Sequence, residues 1–244
     1  MRDCTYILSD VHLDDSPASL ARERELVAWF ASIEDNACRI ILLGDIFDFW
    51  FTYRRVVPRG HSRLLGKLAL MADSGIEIHY FIGNHDMWVF DYFEKEIGMV
   101  MHSDPCNMEI NGLKIFIGHG DGLGCRKGPY PILKRIFRNR LNQRLFTLLP
   151  SRFSFWIAVK WSQLSRKSHG DKYKVYLGDD NEDLIRYCNE LDTQRHYDYI
   201  IFGHRHLAMT KTLASGCRYI NVGDWMEHRD YAVIQGTEAT LVTS

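Results

Sequence analysis

The chain has 244 residues, 46% of them hydrophobic, which suits one large domain or one domain carrying an insertion. Its six cysteines (Cys4, Cys38, Cys106, Cys125, Cys188 and Cys217) are scattered without a C-x-x-C pair, so they read as small buried hydrophobes or free thiols and not as a disulfide framework. No apolar run reaches the roughly 18 residues of a membrane-spanning helix, and no signal-peptide pattern precedes Tyr6-Ile7-Leu8, so a cytoplasmic protein is expected, with attachment to a membrane surface left open.

Apolar, strand-like runs at 5–9, 39–43 and 76–82 alternate with helical patterns at about 18–34 and 61–74. The first helix would place Leu20, Val27, Trp29, Phe30 and Ile33 on its core face. Further runs at 113–118 and 198–202 continue the series, the pattern of an α/β sheet covered by helices on both faces. Ligands in such sheets bind beyond the carboxyl ends of the strands. The runs at 208–213, 217–222, 230–235 and 239–243, broken by Gly216, Gly223-Asp224 and Gly236, predict the short strands of a second sheet. The expected fold is therefore α/β, a four-layered αββα sandwich of two mixed sheets with an inserted helical cap.

The insertion is set apart by charge. Residues 122–170 hold 11 Lys and Arg and no Asp or Glu, while the rest of the chain holds 19 against 31, a net of −12. Large apolar residues recur through the same stretch at helical spacing, among them Ile132, Leu133, Ile136, Leu141, Leu145, Phe153 and Trp156. We expect a core made of 1–121 and 171–244 and a basic, amphipathic helical cap at 122–170. The plain alternative is a helical layer with a solvated basic face. A cap with an apolar groove and a cationic rim would suit an anionic amphiphile or an anionic lipid surface. Nucleic acid fits this aliphatic bulk less well.

Five short motifs each follow a strand-like run: Asp10-Val11-His12, Gly44-Asp45-Ile46-Phe47-Asp48, Gly83-Asn84-His85-Asp86, His119-Gly120-Asp121 and Gly203-His204-Arg205-His206. One such motif is common by chance; five in this position gather the oxygen and imidazole ligands that a two-metal hydrolytic site requires. Asp10, His12, Asp45 and His206 can serve one divalent ion, and Asp45, as a bridge, with Asn84, His119 and His204 the other. This mixed set without thiolate suits Mn²⁺ or Fe²⁺ and tolerates Zn²⁺ or Co²⁺. His85 and Asp86 are the catalytic candidates: His85 to contact the phosphoryl group, Asp86 or Asp48 to hold it. Glycines at 44, 83, 120 and 203 are expected to permit the tight turns between strand and ligand. Asp14 and Asp121 are either supports of the site or turn residues, as are Asn221 and Asp224. The remaining histidines (His61, His79, His102, His169, His196 and His228) read as ordinary core or surface residues.

The ordered set resembles the calcineurin-like metallophosphoesterase superfamily over essentially the whole chain. Within it the chain is similar to the UDP-2,3-diacylglucosamine diphosphatase family of lipid A biosynthesis. The similarity rests on Leu8-Ser9-Asp10-Val11-His12-Leu13, on Gly44-Asp45-Ile46-Phe47-Asp48-Phe49-Trp50 and on the basic insertion after His119-Gly120-Asp121. The resemblance implies a dinuclear site, usually with Mn²⁺. It implies cleavage of the pyrophosphate by metal-hydroxide attack on the α-phosphorus, giving UMP and 2,3-diacylglucosamine 1-phosphate. It further implies a cap that takes the acyl chains, with Asn84, His85, Tyr130, Ser165 and Lys172 at the substrate headgroup. A membrane-borne, nucleotide-activated glycolipid implies peripheral attachment to the cytoplasmic face of the inner membrane, with no nucleic acid and no protein partner. One position departs: the best-known form of the family carries Arg where this chain has His85, a histidine being the rule in the wider superfamily. The competing expectations are another phosphoesterase (phosphomonoesterase, cyclic-nucleotide phosphodiesterase or nuclease) and a non-catalytic scaffold, which should have lost ligands.

Overall fold

The computed structural model describes residues 2–53, 56–125, 130–150, 153–154, 156–157, 160 and 175–243. Strand and helix alternate through the first half: β1 (Cys4–Leu8), α1 (Pro17–Ile33), β2 (Ala37–Leu42), α2 (Ser62–Asp73), β3 (Glu77–Phe81), α3 (Tyr92–Ile97) and β4 (Val100–His102). A hairpin of β5 (Cys106–Ile110) and β6 (Leu113–Gly118) follows, then α4 (Tyr130–Arg138), α5 (Arg140–Thr147), α6 (Asp183–Gln194) and β7 (Tyr199–Phe202). The chain closes with β8 (Met209–Thr212), β9 (Arg218–Asn221), β10 (Tyr231–Gln235) and β11 (Glu238–Val242).

One sheet has the order β11-β10-β1-β2-β3-β4 and the other β5-β6-β7-β9-β8. β1 to β4 run parallel, as do β6, β7 and β9, and antiparallel strands lie at the flanks. The period-two alternation of side chains sorts the core into three apolar layers. On β1, Tyr6 and Leu8 face α1 to α3 while Ile7 faces the second sheet. On β7, Tyr199 and Ile201 face the first sheet while Ile200 and Phe202 meet Leu184, Ile185 and Cys188 of α6. Helices, sheet, sheet, helix: the four-layered sandwich expected from the sequence is present.

The assignment of strands to sheets differs from that expectation. β8 and β9 do join the second sheet, but β10 pairs with β1 and carries β11 into the first. Conversely β6 and β7, which seemed to continue the first sheet, are the centre of the second. Both faces of β10 are covered, with Ala232 and Ile234 toward the other sheet and Tyr231 and Val233 toward α1, so its apolar pattern is indifferent to which sheet receives it.

α4 and α5 fall within 122–170 and lean on the core with one face. Trp88 Nε1 donates to the Phe137 carbonyl at 2.9 Å, and Phe146 packs on Phe51 and Trp88. Among the described residues, no helix is long and apolar enough to cross a membrane.

Candidate dinuclear metal site

All five motifs begin one or two residues past the ends of β1, β2, β3, β6 and β7, where parallel strands deliver their loops to one edge. Two carboxylates organise the centre, and each divides its oxygens between two tasks. Asp10 Oδ2 accepts the His204 backbone N–H at 2.8 Å, while Oδ1 lies 3.2 Å from His206 Nε2 and 3.6 Å from His12 Nε2. Asp45 Oδ1 accepts the His85 backbone N–H at 2.8 Å, while Oδ2 lies 3.3 Å from His119 Nε2 and 3.9 Å from His12 Nε2. One oxygen of each fixes a distant loop; the other faces imidazoles. Asn84 Oδ1 stands 3.2 Å from His119 Nε2.

Among the described residues, three sets bring three ligand atoms within 4.8 Å of one another: Asp10, His12 and His206; His12, Asp45 and His85; Asp45, His119 and His204. His12 is common to the first two sets and Asp45 to the last two. Asp10 Oδ1 and both ring nitrogens of His12 are buried without a hydrogen-bond partner. Buried polar atoms are normally satisfied, so donors of this type fit divalent cations. His119 Nδ1 lies 2.7 Å from the Leu43 carbonyl, which fixes Nδ1 as the protonated nitrogen and turns Nε2 to the centre.

The backbone is strained where the ligands sit. Asp10, His12, Asp45, His204 and His206 have φ of 56°, 48°, 51°, 66° and 49°, each costing about 1–2 kcal/mol for a residue with a Cβ. The surroundings hold them: His12 N–H donates to the Asp45 carbonyl at 2.9 Å, Arg22 donates to the His12 carbonyl at 2.8 Å, and Asn221 to the Gly203 carbonyl at 2.7 Å. Asn221 thus backs up the fifth motif, whereas Asp224 serves the turn through the Glu227 N–H and His228. Gly44 takes a positive φ of 89°, as a turn glycine should. Gly83 is needed for space instead, because a Cβ there would strike the Asp45 side chain and amide.

Electrostatics follow from the crowding. Burial alone would push the His12 imidazolium down, but the carboxylates of Asp10, Asp48 and Asp45 outweigh it and raise its pKa from 6.5 to about 10. His119 is likewise raised to about 10 against burial, chiefly by Asp45. Burial and the adjacent His119 push His204 down to about 4, so it stays neutral. Asp45 and Asp10 are held low despite burial, Asp45 by His119 and His85 and Asp10 by His206 and His12.

His85 lies beside His12 and Asp45, with Nδ1 3.0 Å from the Asp48 carbonyl and 3.5 Å from Asp48 Oδ1. Asp48 Oδ1 is also 3.6 Å from His12 Nδ1, so Asp48 is the residue that holds His85. Asp86, expected beside it as a catalytic group, is placed otherwise. Its fully buried carboxylate accepts the Gly83 N–H at 2.9 Å, the Ile46 N–H at 2.9 Å and the Tyr80 hydroxyl. It ties the second and third motifs together from behind. Asp14 accepts from Ser16 ahead of α1 and is a turn residue. Asp121 receives α4: the Tyr130 hydroxyl at 2.7 Å and the Lys134 ammonium at 2.7 Å. Ser165 and Lys172 lie outside the described residues.

A two-sheet sandwich with oxygen and imidazole donors gathered at its strand ends is the arrangement of a metal-dependent hydrolase. The family model described as calcineurin-like phosphoesterase matches residues 5–208, and the chain belongs to that family. A curated relative, the UDP-2,3-diacylglucosamine hydrolase of Porphyromonas gingivalis, is 39% identical, covering 99% of this chain and 97% of its own. The protein of the same description from Proteus mirabilis is 29% identical over 83% and 82%. Among solved structures, Yfce, a phosphoesterase from E. coli, aligns with a TM-score of 0.49 at 13% identity, over 98% of this chain and 92% of that one.

Proposed function

We propose that the protein hydrolyses the pyrophosphate of UDP-2,3-diacylglucosamine. Water adds its oxygen to the α-phosphorus, the bond to the bridging oxygen breaks, and UMP and 2,3-diacylglucosamine 1-phosphate leave. The observation that carries this reading is Asp45 standing between two ligand groups in a chain 39% identical, over nearly its whole length, to a relative bearing that substrate in its description. Asp10, His12, Asp45 and His206 would hold one divalent ion; Asp45, Asn84, His119 and His204 the other. When bound, such ions acidify a water and neutralise charge on phosphoryl oxygens. We assign them as Mn²⁺, in keeping with a donor set of carboxylate, amide and imidazole.

The chain's own residues do the rest. With Nδ1 directed at Asp48, His85 has Nε2 to meet a phosphoryl or leaving oxygen. Burial of the centre strengthens every such contact. In this reading α4 and α5 belong to a cap over the site whose apolar side chains take the acyl chains. The outward face of α4 and α5 exposes Ile132 (67%), Leu141, Leu145 and Leu148 (78%) beside Arg135, Arg140 and Arg144, a composition that suits peripheral attachment to an anionic bilayer on its cytoplasmic side.

The test is UMP release from UDP-2,3-diacylglucosamine by purified protein with Mn²⁺, beside a deacylated UDP-sugar. Release from the acylated substrate alone supports the assignment and the cap's role. Equal release from both, or activity on simple phosphate esters only, keeps a metallophosphoesterase and discards the lipid substrate.

A further inference from the structure

We infer that Arg205 is a positioning residue, a brace that sets both histidines of the fifth motif against the chain returning from the insertion. Arg205 lies between His204 and His206 in sequence, yet the residue is only 8% exposed. Its guanidinium grips Glu182 with two prongs, Nε to Oε2 at 2.9 Å and Nη2 to Oε1 at 2.8 Å. Nη2 also donates to the Val175 carbonyl at 2.8 Å. Glu182, 4% exposed, uses Oε1 again to accept the Leu177 N–H at 3.1 Å.

Each end of this brace is fixed to something that matters. Glu182 immediately precedes α6, which is anchored by Leu184, Ile185 and Cys188 on Ile200 and Phe202 of β7. Val175 and Leu177 belong to the stretch by which the chain re-enters the core after 122–170. At the other end the backbone on both sides of Arg205 is left-handed, φ 66° at His204 and 49° at His206, a state that persists only when neighbours hold it. The Arg205 N–H closes a tight turn on the Gly203 carbonyl at 2.7 Å. His204 packs on His119, and His206 points Nε2 at Asp10. The two imidazoles therefore serve different ions, and Arg205 is the one side chain between them that reaches the second layer of the protein.

A buried ion pair contributes little net stability compared with apolar side chains of the same size, because desolvation of both charges offsets their attraction. Its geometric effect is larger. A planar fork on a carboxylate fixes direction as well as distance, and groups that orient metal ligands from behind typically govern affinity by 10- to 100-fold. Displacement of residues 175–177 would move Arg205 and, through it, both histidines. The brace thus links the cap's return leg to both ions at once. The inference rests on the two-ion reading of the site.

The experiment measures Mn²⁺ binding to the full chain by titration calorimetry, with thermal unfolding in parallel. Arg205→Lys keeps the charge and loses the fork; Glu182→Gln keeps the shape and loses the charge, and decides by the same criteria should Arg205→Lys fail to fold. Either variant is expected to bind Mn²⁺ about tenfold or more weakly, and the double variant no more weakly than the worse single one, because both remove one interaction. Lys211→Ala, which breaks the exposed pair with Asp179 on the same segment, should leave affinity within about twofold. A fall in melting temperature with unchanged Mn²⁺ affinity makes Arg205 merely structural and overturns the inference, as does an equal loss in Lys211→Ala. A parent protein that binds no Mn²⁺ overturns the site reading together with it.

Discussion

Asp45 holds the His85 loop with one oxygen, faces two imidazoles with the other and belongs to two of the ligand groups, so its removal should be more damaging than that of any histidine. We expect Asp45→Ala to lose bound Mn²⁺ at both positions, read by metal analysis of the dialysed protein, with turnover lost alongside. His85→Ala should differ in kind: Mn²⁺ content unchanged, kcat lower by about a hundredfold or more, and retained turnover would remove His85 from the chemistry. Proton counting gives a third check. In the metal-free protein His12 and His119 have pKa values raised to about 10, so both carry a proton at pH 7.5 that a cation must displace. Loading with Mn²⁺ should release about two protons, seen as a calorimetric enthalpy that scales with buffer ionisation heat; no dependence on buffer would refute this. The sign for folding is the usual one for a raised histidine. Their contribution to the metal-free fold is fully present below pH 6.5 and lost as pH rises through 10. At this scale the sequence was informative where chemistry is local. Ligand type and spacing picked out the side chains that the fold gathers at one edge, whereas the neighbour relation of His85 and Asp86 gave no guide to where Asp86 points. Side chains adjacent along a turn point in different directions, and Asp86 points back into the loop bases. Nothing in the pattern disclosed Arg22 or the left-handed φ at five ligands, because these depend on contacts made across the fold.

Helix α2 shows how an element can be secured from outside itself. Its N-cap position is His61, with φ 57° and no side-chain cap. Glu23 of α1 supplies the missing acceptor, its Oε1 taking the Leu64 N–H at 3.1 Å in a fully buried setting. Glu23→Ala should lower stability by about 1–2 kcal/mol, the range of a lost cap, and a variant as stable as the parent in denaturant titration would show the contact to be idle. The Glu182–Arg205 pair gives a pH signature at the same scale. Burial raises the Glu182 carboxyl, and the Arg205 guanidinium outweighs that to leave it below its ordinary 4.5. Its contribution is present above pH 4.5 and fades as pH falls through the lower folded value, so Glu182→Gln should flatten this part of the acid-unfolding curve. Element type was legible from periodicity, since α1, α2 and the five motif-bearing strands follow apolar patterns that only one secondary structure accommodates. Membership of a sheet was not. β10 is apolar on both faces and pairs with β1 across more than 200 residues of sequence, and a period of two says which residues share a face but not which strand lies alongside. The three-residue β4 is too short for any period to register.

Across the whole molecule the informative quantity is where charge lies, not its sum. A net of −1 conceals a stretch with 11 cations and no anion, and the described residues of α4 and α5 divide by face. Lys134 and Arg138 turn inward onto Asp121 and Asp104, while Arg135, Arg140 and Arg144 stay exposed among Ile132, Leu141, Leu145 and Leu148. The inward pairs seat α4 on the core and are neutralised there, so of these described cations the outward set is the one that acts at a distance. A face that combines aliphatic side chains with arginines is attracted to an anionic bilayer electrostatically and then held by burial of its apolar groups. The two contributions separate experimentally. Vesicles containing phosphatidylglycerol should bind the protein, less so as salt screens the charges, whereas zwitterionic vesicles should bind it weakly at any salt. Each exposed arginine near such a surface is worth about 1 kcal/mol, and alanine keeps the helix. The triple change of Arg135, Arg140 and Arg144 to alanine should therefore reduce flotation with anionic vesicles by about a hundredfold. Changing Lys134 and Arg138 instead should loosen α4 and lower stability with a smaller effect on flotation. Binding that is indifferent to lipid charge, to salt and to the outward arginines would leave this face of α4 and α5 as a solvated helical surface.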